Sequence, residues 1–337
     1  MLSHFSEFRR LLDKILVQSF GKPIVLYGYG RSGRFIQWYA QYYHNLQVDY
    51  IITEDWSSAI PYEFPLFRNT LLEYDYKDVS HAIVWLAVPD YNNAVSFLEA
   101  HGYVKNASYF NLCEAVYGDD LFVQKDDKEN VFTRKKTGYR DIQFMEWLEY
   151  KYDCNFVTRI DQRDFTGEKM GHAPYILSAD KIILPLLDQC HIDWQDDNAI
   201  FDFGCGKGGA LVTFLDYGFG KAGGVEYEKN IYKVLEDNMN KLGLREQLEL
   251  IEGDAATVTD ELDKYNWFYF FEPFAQEIFE KVICNIMDSA ARNVRKIYLI
   301  VINPHVYQLI KDSGFYLINQ FEVATRQRVV DVFTNQI

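Results

Sequence analysis

Between residues 4 and 18, apolar side chains recur at helical spacing. Phe5, Phe8, Leu11, Leu12, Ile15 and Leu16 fall on one stripe, with charged residues opposite. The stripe predicts a helix packed on the flank of a domain; it is short and mixes acidic with basic residues, which disfavours a membrane anchor. A continuous apolar run, Ile24–Tyr27, then breaks into glycines, and a helical pattern continues to about Tyr43. Further apolar runs cover Val48–Thr53 and Ala82–Val88, the latter leading into a predicted helix, Asn92–His101. Strand, helix, strand, helix at this spacing makes a parallel α/β layer.

The alternation stops near Tyr117. Residues 118–138 are rich in charge and mark a domain boundary, and 139–177 are aromatic and polar with weak periodicity, as in a cap or lid. From Ser178 a second series begins. Its predicted strands are Ala199–Phe203, Ala222–Glu226, Leu248–Glu252, Trp267–Phe271 and Ile297–Ile302, with helices between them. Two more strands, Phe315–Val323 and Arg328–Asn335, follow Gly314 and are joined by a short polar turn. The expected organisation is one α/β domain over 1–118, a linker and lid over 119–177, and a second α/β domain over 178–337.

Composition narrows the function. The chain has 337 residues, 48% hydrophobic and 25% charged, the profile of a globular protein of two domains. Its formal charge of -15 repels phosphate backbones, so nucleic acid is not an expected partner and a small-molecule or sugar-type substrate fits better. The five cysteines show no C-x-x-C spacing, which points to a reducing compartment. With no apolar leader and no membrane-length run, the expected location is the cytoplasm, away from membranes. The seven histidines are scattered, so no metal site is expected.

The strongest local signal is Phe201-Asp202-Phe203-Gly204-Cys205-Gly206-Lys207-Gly208-Gly209. An apolar strand runs into a glycine turn that opens a helix, and glycine lets backbone approach a ligand without a Cβ in the way. Acids then arrive at successive strand ends. Glu226 stands where a carboxylate accepts hydrogen bonds from two ribose hydroxyls. Asp254, in Gly253-Asp254-Ala255, can accept from an adenine amine. Glu272, in Glu272-Pro273-Phe274, closes the fourth strand at the carboxyl edge, where open α/β sheets bind ligands. Singly each acid reads as a surface charge, and Glu272 equally as a helix cap; their shared register argues for a site.

Over roughly 175–337 the chain resembles the class I S-adenosylmethionine (SAM)-dependent methyltransferases. The resemblance rests on Asp202 to Gly208, Gly224-Val225-Glu226, Gly253-Asp254 and the two-strand ending. It implies a Rossmann-like seven-stranded sheet closing in an antiparallel hairpin. It also implies that Gly204, Gly206 and Gly208 pack against the methionine part of SAM, Glu226 holds the ribose, Asp254 reads adenine, and Asp202 orders the turn and contacts the amino-acid part. Glu272-Pro273-Phe274 is only similar to the Asn/Asp-Pro-Pro-Tyr/Phe motif of amino-group methyltransferases. A carboxylate in place of the amide can instead take a proton from a hydroxyl. Glu272, Tyr175, His172 and His305 are the candidate proton acceptors, with Glu272 placed two strands' width from the glycine turn.

The amino-terminal domain carries Gly28-x-Gly30-x-x-Gly33 between a strand and a helix, with Glu54 or Asp55 where a ribose-binding acid would stand. Over roughly 20–115 it resembles the small Rossmann domains of sugar-nucleotide and NAD enzymes, which implies NAD(P) or a nucleotide-sugar as its ligand; a domain that has kept the turn but lost the ligand is the alternative. No Tyr-x-x-x-Lys is present within residues 1–118. The reading is a two-domain α/β methyltransferase acting on a small molecule, such as a nucleotide-linked sugar or glycan precursor. A SAM-binding regulatory or scaffold protein without turnover, and an NAD-dependent oxidoreductase, remain alternatives, as does a homodimeric state.

Overall fold

The structure is a computed structural model that describes residues 4–29, 31–53, 66–68, 82–87, 92–112, 143–166, 174–175, 177, 180–190, 192, 198–302, 306–323 and 328–336. The chain divides into two compact units, residues 1–150 and 151–337.

In the first unit five short strands form one parallel sheet: β1 (Ile24–Tyr27), β2 (Tyr50–Thr53), β3 (Leu66–Arg68), β4 (Ile83–Leu86) and β5 (Tyr109–Asn111), in the order β3-β2-β1-β4-β5. The order reverses between β1 and β4, the switch point of doubly wound folds. Around the sheet lie α1 (His4–Leu16), α2 (Arg31–His44), α3 (Asn92–Ala100) and α4 (Gln143–Tyr152). The predicted α1 stripe is buried at Phe5, Phe8, Leu12, Ile15 and Leu16. It meets α4, with Phe5 and Phe144 ring centres 5.1 Å apart and Phe8 and Trp147 5.7 Å apart. The stretch read from sequence as a linker and lid is therefore divided: α4 packs its rings in the first unit, while 153–166 lie in the second. The expected boundary at 118 falls outside the described residues.

The second unit is built on a seven-stranded sheet: β6 (Ala199–Phe203), β7 (Lys221–Glu226), β8 (Leu248–Glu252), β9 (Trp267–Phe271), β10 (Tyr298–Ile302), β11 (Tyr316–Val323) and β12 (Arg328–Thr334). Its order is β11-β12-β10-β9-β6-β7-β8, parallel except for β12, which runs antiparallel to both neighbours. The central strands are apolar on both faces because helices cover both sides, as parallel sheets require. The helices are α5 (Asp180–Gln189), α6 (Gly209–Tyr217), α7 (Lys229–Lys241), α8 (Gln276–Arg292) and α9 (Tyr307–Asp312). On one face Phe201, Phe203, Phe268 and Phe270 form a core with Phe279, Val282 and Ile286 of α8, and Phe203 stacks on Phe270 at 4.9 Å. Rings of that size, each burying well over 100 Å², fix the register that carries the strand-end acids to one edge.

Candidate active site

The glycine turn leaves β6 with Gly204, Gly206 and Gly208 all at positive φ (83°, 56° and 89°). The N–H groups of Gly204 and Cys205 both donate to Val225 O at 3.0 Å, which ties the turn to the neighbouring strand. Beyond it α6 begins at Gly209, so its free N–H groups point back at the turn.

Glu226 closes β7 beside this turn and is 9% exposed. Its Oε2 accepts from Gly206 N–H (2.9 Å) and its Oε1 from Glu228 N–H (2.8 Å). A carboxylate has about four acceptor positions, so this clamp leaves capacity for ligand hydroxyls. Burial pushes the Glu226 carboxyl up to about 7, against the lowering effect of those two N–H groups. Asp202, 4% exposed, is pushed well above the usual carboxylate range, chiefly by burial and then by Glu226. The Cys205 thiol is raised by burial and by both acids, so it is a neutral packing group and no nucleophile. Asp254 follows β8 and caps the next turn, its Oδ1 accepting from Ala256 N–H at 2.9 Å.

Glu272 sits just past β9, exposed, with a φ of 45°. The expected two-strand separation from the glycine turn is corrected: β9 pairs directly with β6. The contact is close, since a Cβ on Gly204 would lie 2.9 Å from Pro273 Cβ. Pro273 therefore needs a glycine opposite it, and the pair sets Glu272 at the rim of the turn.

Tyr175 is buried, and its hydroxyl donates to Phe156 O at 2.6 Å. Its ring lies over the turn, where a Cβ on Gly206 would come within 2.5 Å of Tyr175 Cε2. A hydroxyl committed to a backbone carbonyl is poorly placed to take a proton from a substrate, so Tyr175 is a cap on the turn rather than an acceptor. His172 and His305 lie outside the described residues, as do Gly30 and Glu54 of the amino-terminal motif. Gly28 (φ 95°) donates its N–H to Ile52 O at 2.7 Å. A Cβ on Gly33 would collide with Gly28 O, so helix and strand approach as closely as the dinucleotide fingerprint demands.

Sequence reasoning missed the polar frame around the carboxy-terminal turn. Lys207 is 1% exposed; its Nζ donates to Asn155 Oδ1 and Thr158 O, both at 2.8 Å, and stands 4.9 Å from the centre of the Tyr175 ring. Asn238, fully buried on α7, accepts from Asn155 N–H (2.8 Å) and donates to Asn155 O (3.0 Å) and Lys207 O (3.1 Å). Glu228 accepts from Thr166 N–H (3.0 Å) and Thr166 Oγ1 (2.7 Å). The segment 153–166 is thus fastened to the glycine turn, to α7 and to the loop after Glu226. The available signal was Lys207 itself, a long cation inside a glycine run.

Among the described residues no group of three or more His, Cys, Asp or Glu is placed to hold a metal ion, and no helix is long and apolar enough to cross a membrane. No family model and no curated protein matches the sequence. Solved structures similar to the chain include the glycopeptide N-methyltransferase MtfA complexed with SAM, at 11% identity and a TM-score of 0.39, over 47% of this chain and 93% of that one. A SAM-dependent methyltransferase from Aquifex aeolicus is 14% identical, with a TM-score of 0.37, over 46% of this chain and 89% of its own. An RNA methyltransferase from Salinibacter ruber, in complex with S-adenosylhomocysteine, is 12% identical, with a TM-score of 0.35, over 48% of this chain and 96% of its own. By its strand order, its glycine turn and its terminal antiparallel hairpin, the carboxy-terminal unit is a Rossmann-like α/β fold.

Proposed function

We propose that the protein transfers a methyl group from SAM to a small-molecule acceptor at the carboxyl edge of β6, β7, β8 and β9. The observation that carries this reading is the set of acids around one glycine turn: buried Asp202 and Glu226, Asp254 one strand further, and Glu272 on the opposite side. Two adjacent buried carboxyls are costly alone and favour a ligand that brings positive charge and hydroxyl donors. SAM carries a sulfonium, an ammonium and two ribose hydroxyls. Glu226 would take the ribose hydroxyls, Asp254 the adenine amine, and the turn the methionine part. SAM supplies an already activated methyl, so the chain's task is alignment, exclusion of water and removal of one proton. Among the described candidates, Glu272 is the exposed carboxylate beside the turn, and it takes the role of proton acceptor.

Substituting Glu272→Gln tests the assignment. SAM affinity should stay, and turnover should fall by about 10²–10⁴-fold with loss of the acidic limb of the pH profile. Full activity with an unchanged pH profile would remove Glu272 from the chemistry.

The amino-terminal unit is proposed to hold a nucleotide, NAD(P) or a nucleotide-sugar, against Gly28. Support comes from its strand order and from the Gly33–Gly28 approach. Titration of the full chain with NAD and with a uridine-diphosphate sugar, followed by calorimetry, tests it; no heat with either removes the proposal.

A further inference from the structure

A cavity of about 200 Å³ lies under the loop that carries Glu272, at the carboxyl ends of β9 and β10 and against the start of α8. Phe270, Phe279 and Val301 form its floor and are almost wholly buried, Phe274 and Val306 are half-buried in its wall, and Glu272 and Gln276 are polar groups on its lining. It lies on the α8 and α9 face of the sheet, and Pro273 of its lining is the residue that stands against Gly204 of the glycine turn. Cavities of about 150 Å³ with Leu, Ile and Phe linings stay dry and take up benzene. This cavity therefore suits one six-membered ring with a short arm, and it is too apolar for the sugar-type acceptor that the charge of the chain suggested.

We infer that the cavity anchors the acceptor, and that the acceptor is an aromatic ring on a short arm ending in a primary amine, the ring under the loop and the amine at Glu272. The proposal rests on the methyl-transfer reading and adds the substrate class. Three features favour an amine over an acid. Glu272 is a carboxylate on the lining, the other polar group there, Gln276, is neutral, and the net charge of -15 draws cations toward the chain. The chemistry balances. The ammonium gives one proton to Glu272, and the amine lone pair then forms the N–CH3 bond as the S–CH3 bond breaks. That bond pair stays on sulfur, leaving S-adenosylhomocysteine and an N-methylammonium.

The test uses the full chain saturated with S-adenosylhomocysteine, and 2-phenylethylamine as probe, with ring-proton saturation transfer by NMR as readout. Phenylacetate and ethylamine control for charge and ring. The filling variants Val306→Phe and Val301→Phe occupy the cavity from its wall and from its floor. Wild type should bind 2-phenylethylamine at least about tenfold tighter than either control, and at least one folded variant should lose about tenfold while keeping its S-adenosylhomocysteine affinity. With methyl-deuterated SAM the label should appear on the amine. Equal binding of phenylacetate, or unchanged amine binding in both folded variants, overturns the inference. If wild type binds the amine but no S-adenosylhomocysteine, the cavity stands and the methyl-transfer reading falls.

Discussion

Two glycine turns sit at the ends of two parallel strands in this chain, and their surroundings differ. Among the described residues, the turn after β1 shows Gly28 N–H on Ile52 O, Gly33 against Gly28 O, and a buried Tyr29 OH donating to Gln37 Oε1. The turn after β6 is held by buried polar side chains as well, with Glu226 below it, Lys207 and Asn238 tying it to 153–158, and Tyr175 over it. Both adopt the backbone that close approach requires. Buried charge is kept where it is paired or awaits a ligand. The turn after β6, framed by buried carboxyls and a buried lysine, is therefore the stronger candidate for a ligand site of the two.

The largest effect expected from this contrast is at the turns themselves. Gly206→Val places a branched side chain into the Tyr175 ring at a φ of 56°, and should abolish S-adenosylhomocysteine binding in calorimetry with the amino-terminal unit still folded. The converse, Gly33→Ala, should lower the stability of the amino-terminal unit by about 1–3 kcal/mol and leave that binding intact. A Gly206→Val protein that binds normally would show that the turn after β6 is not the cofactor loop.

Lys207→Met keeps the length of the side chain but strips the donors from Asn155 Oδ1 and Thr158 O. A cost of about 2–3 kcal/mol follows, a drop of roughly 4–12 °C in the melting transition of the carboxy-terminal unit. An unchanged transition would mean that the lysine adds nothing to the frame.

The smallest effect is a pH dependence. Because Glu226 is pushed up to about 7, it is largely protonated in the free protein below that pH. A ribose needs the ionised form, so S-adenosylhomocysteine affinity should fall about tenfold from pH 8 to pH 6. Folding moves the other way. The raised carboxyl favours the folded state most below its ordinary value of 4.5, and that contribution is lost as pH rises through about 7. Asp202, Cys205 and Glu228 face the same group, and burial raises the first two as well. Affinity flat across this range would place the ribose elsewhere.

Much of this was legible in the chain because parallel strands buried on both faces leave unbroken apolar runs. β6, β8 and β9 stand where Ala199–Phe203, Leu248–Glu252 and Trp267–Phe271 predicted them. β3 and β5 are three residues each, too short for a periodic signal, and α4 was lost in an aromatic stretch because every residue from Phe144 to Glu149 is buried, which leaves no polar face to mark the period. Glu226 and the glycine turn were readable from strand-end spacing. The Lys207–Asn155 and Asn238–Asn155 bonds were not, since they join residues more than 50 positions apart. The distance from Glu272 to the turn was misjudged for a related reason: strand order is a property of the sheet, and β9 reaches β6 across two intervening strands of sequence.

The central claim is that the carboxy-terminal unit binds SAM through Glu226. Calorimetric titration of S-adenosylhomocysteine into the full chain and into folded Glu226→Ala, at pH 8, tests it most directly. The account predicts one site per chain in the wild type and a loss of about 1–3 kcal/mol of binding in the variant, the scale of a charge-assisted hydrogen-bond pair. Equal affinity in the two proteins, or no heat in the wild type, would contradict it.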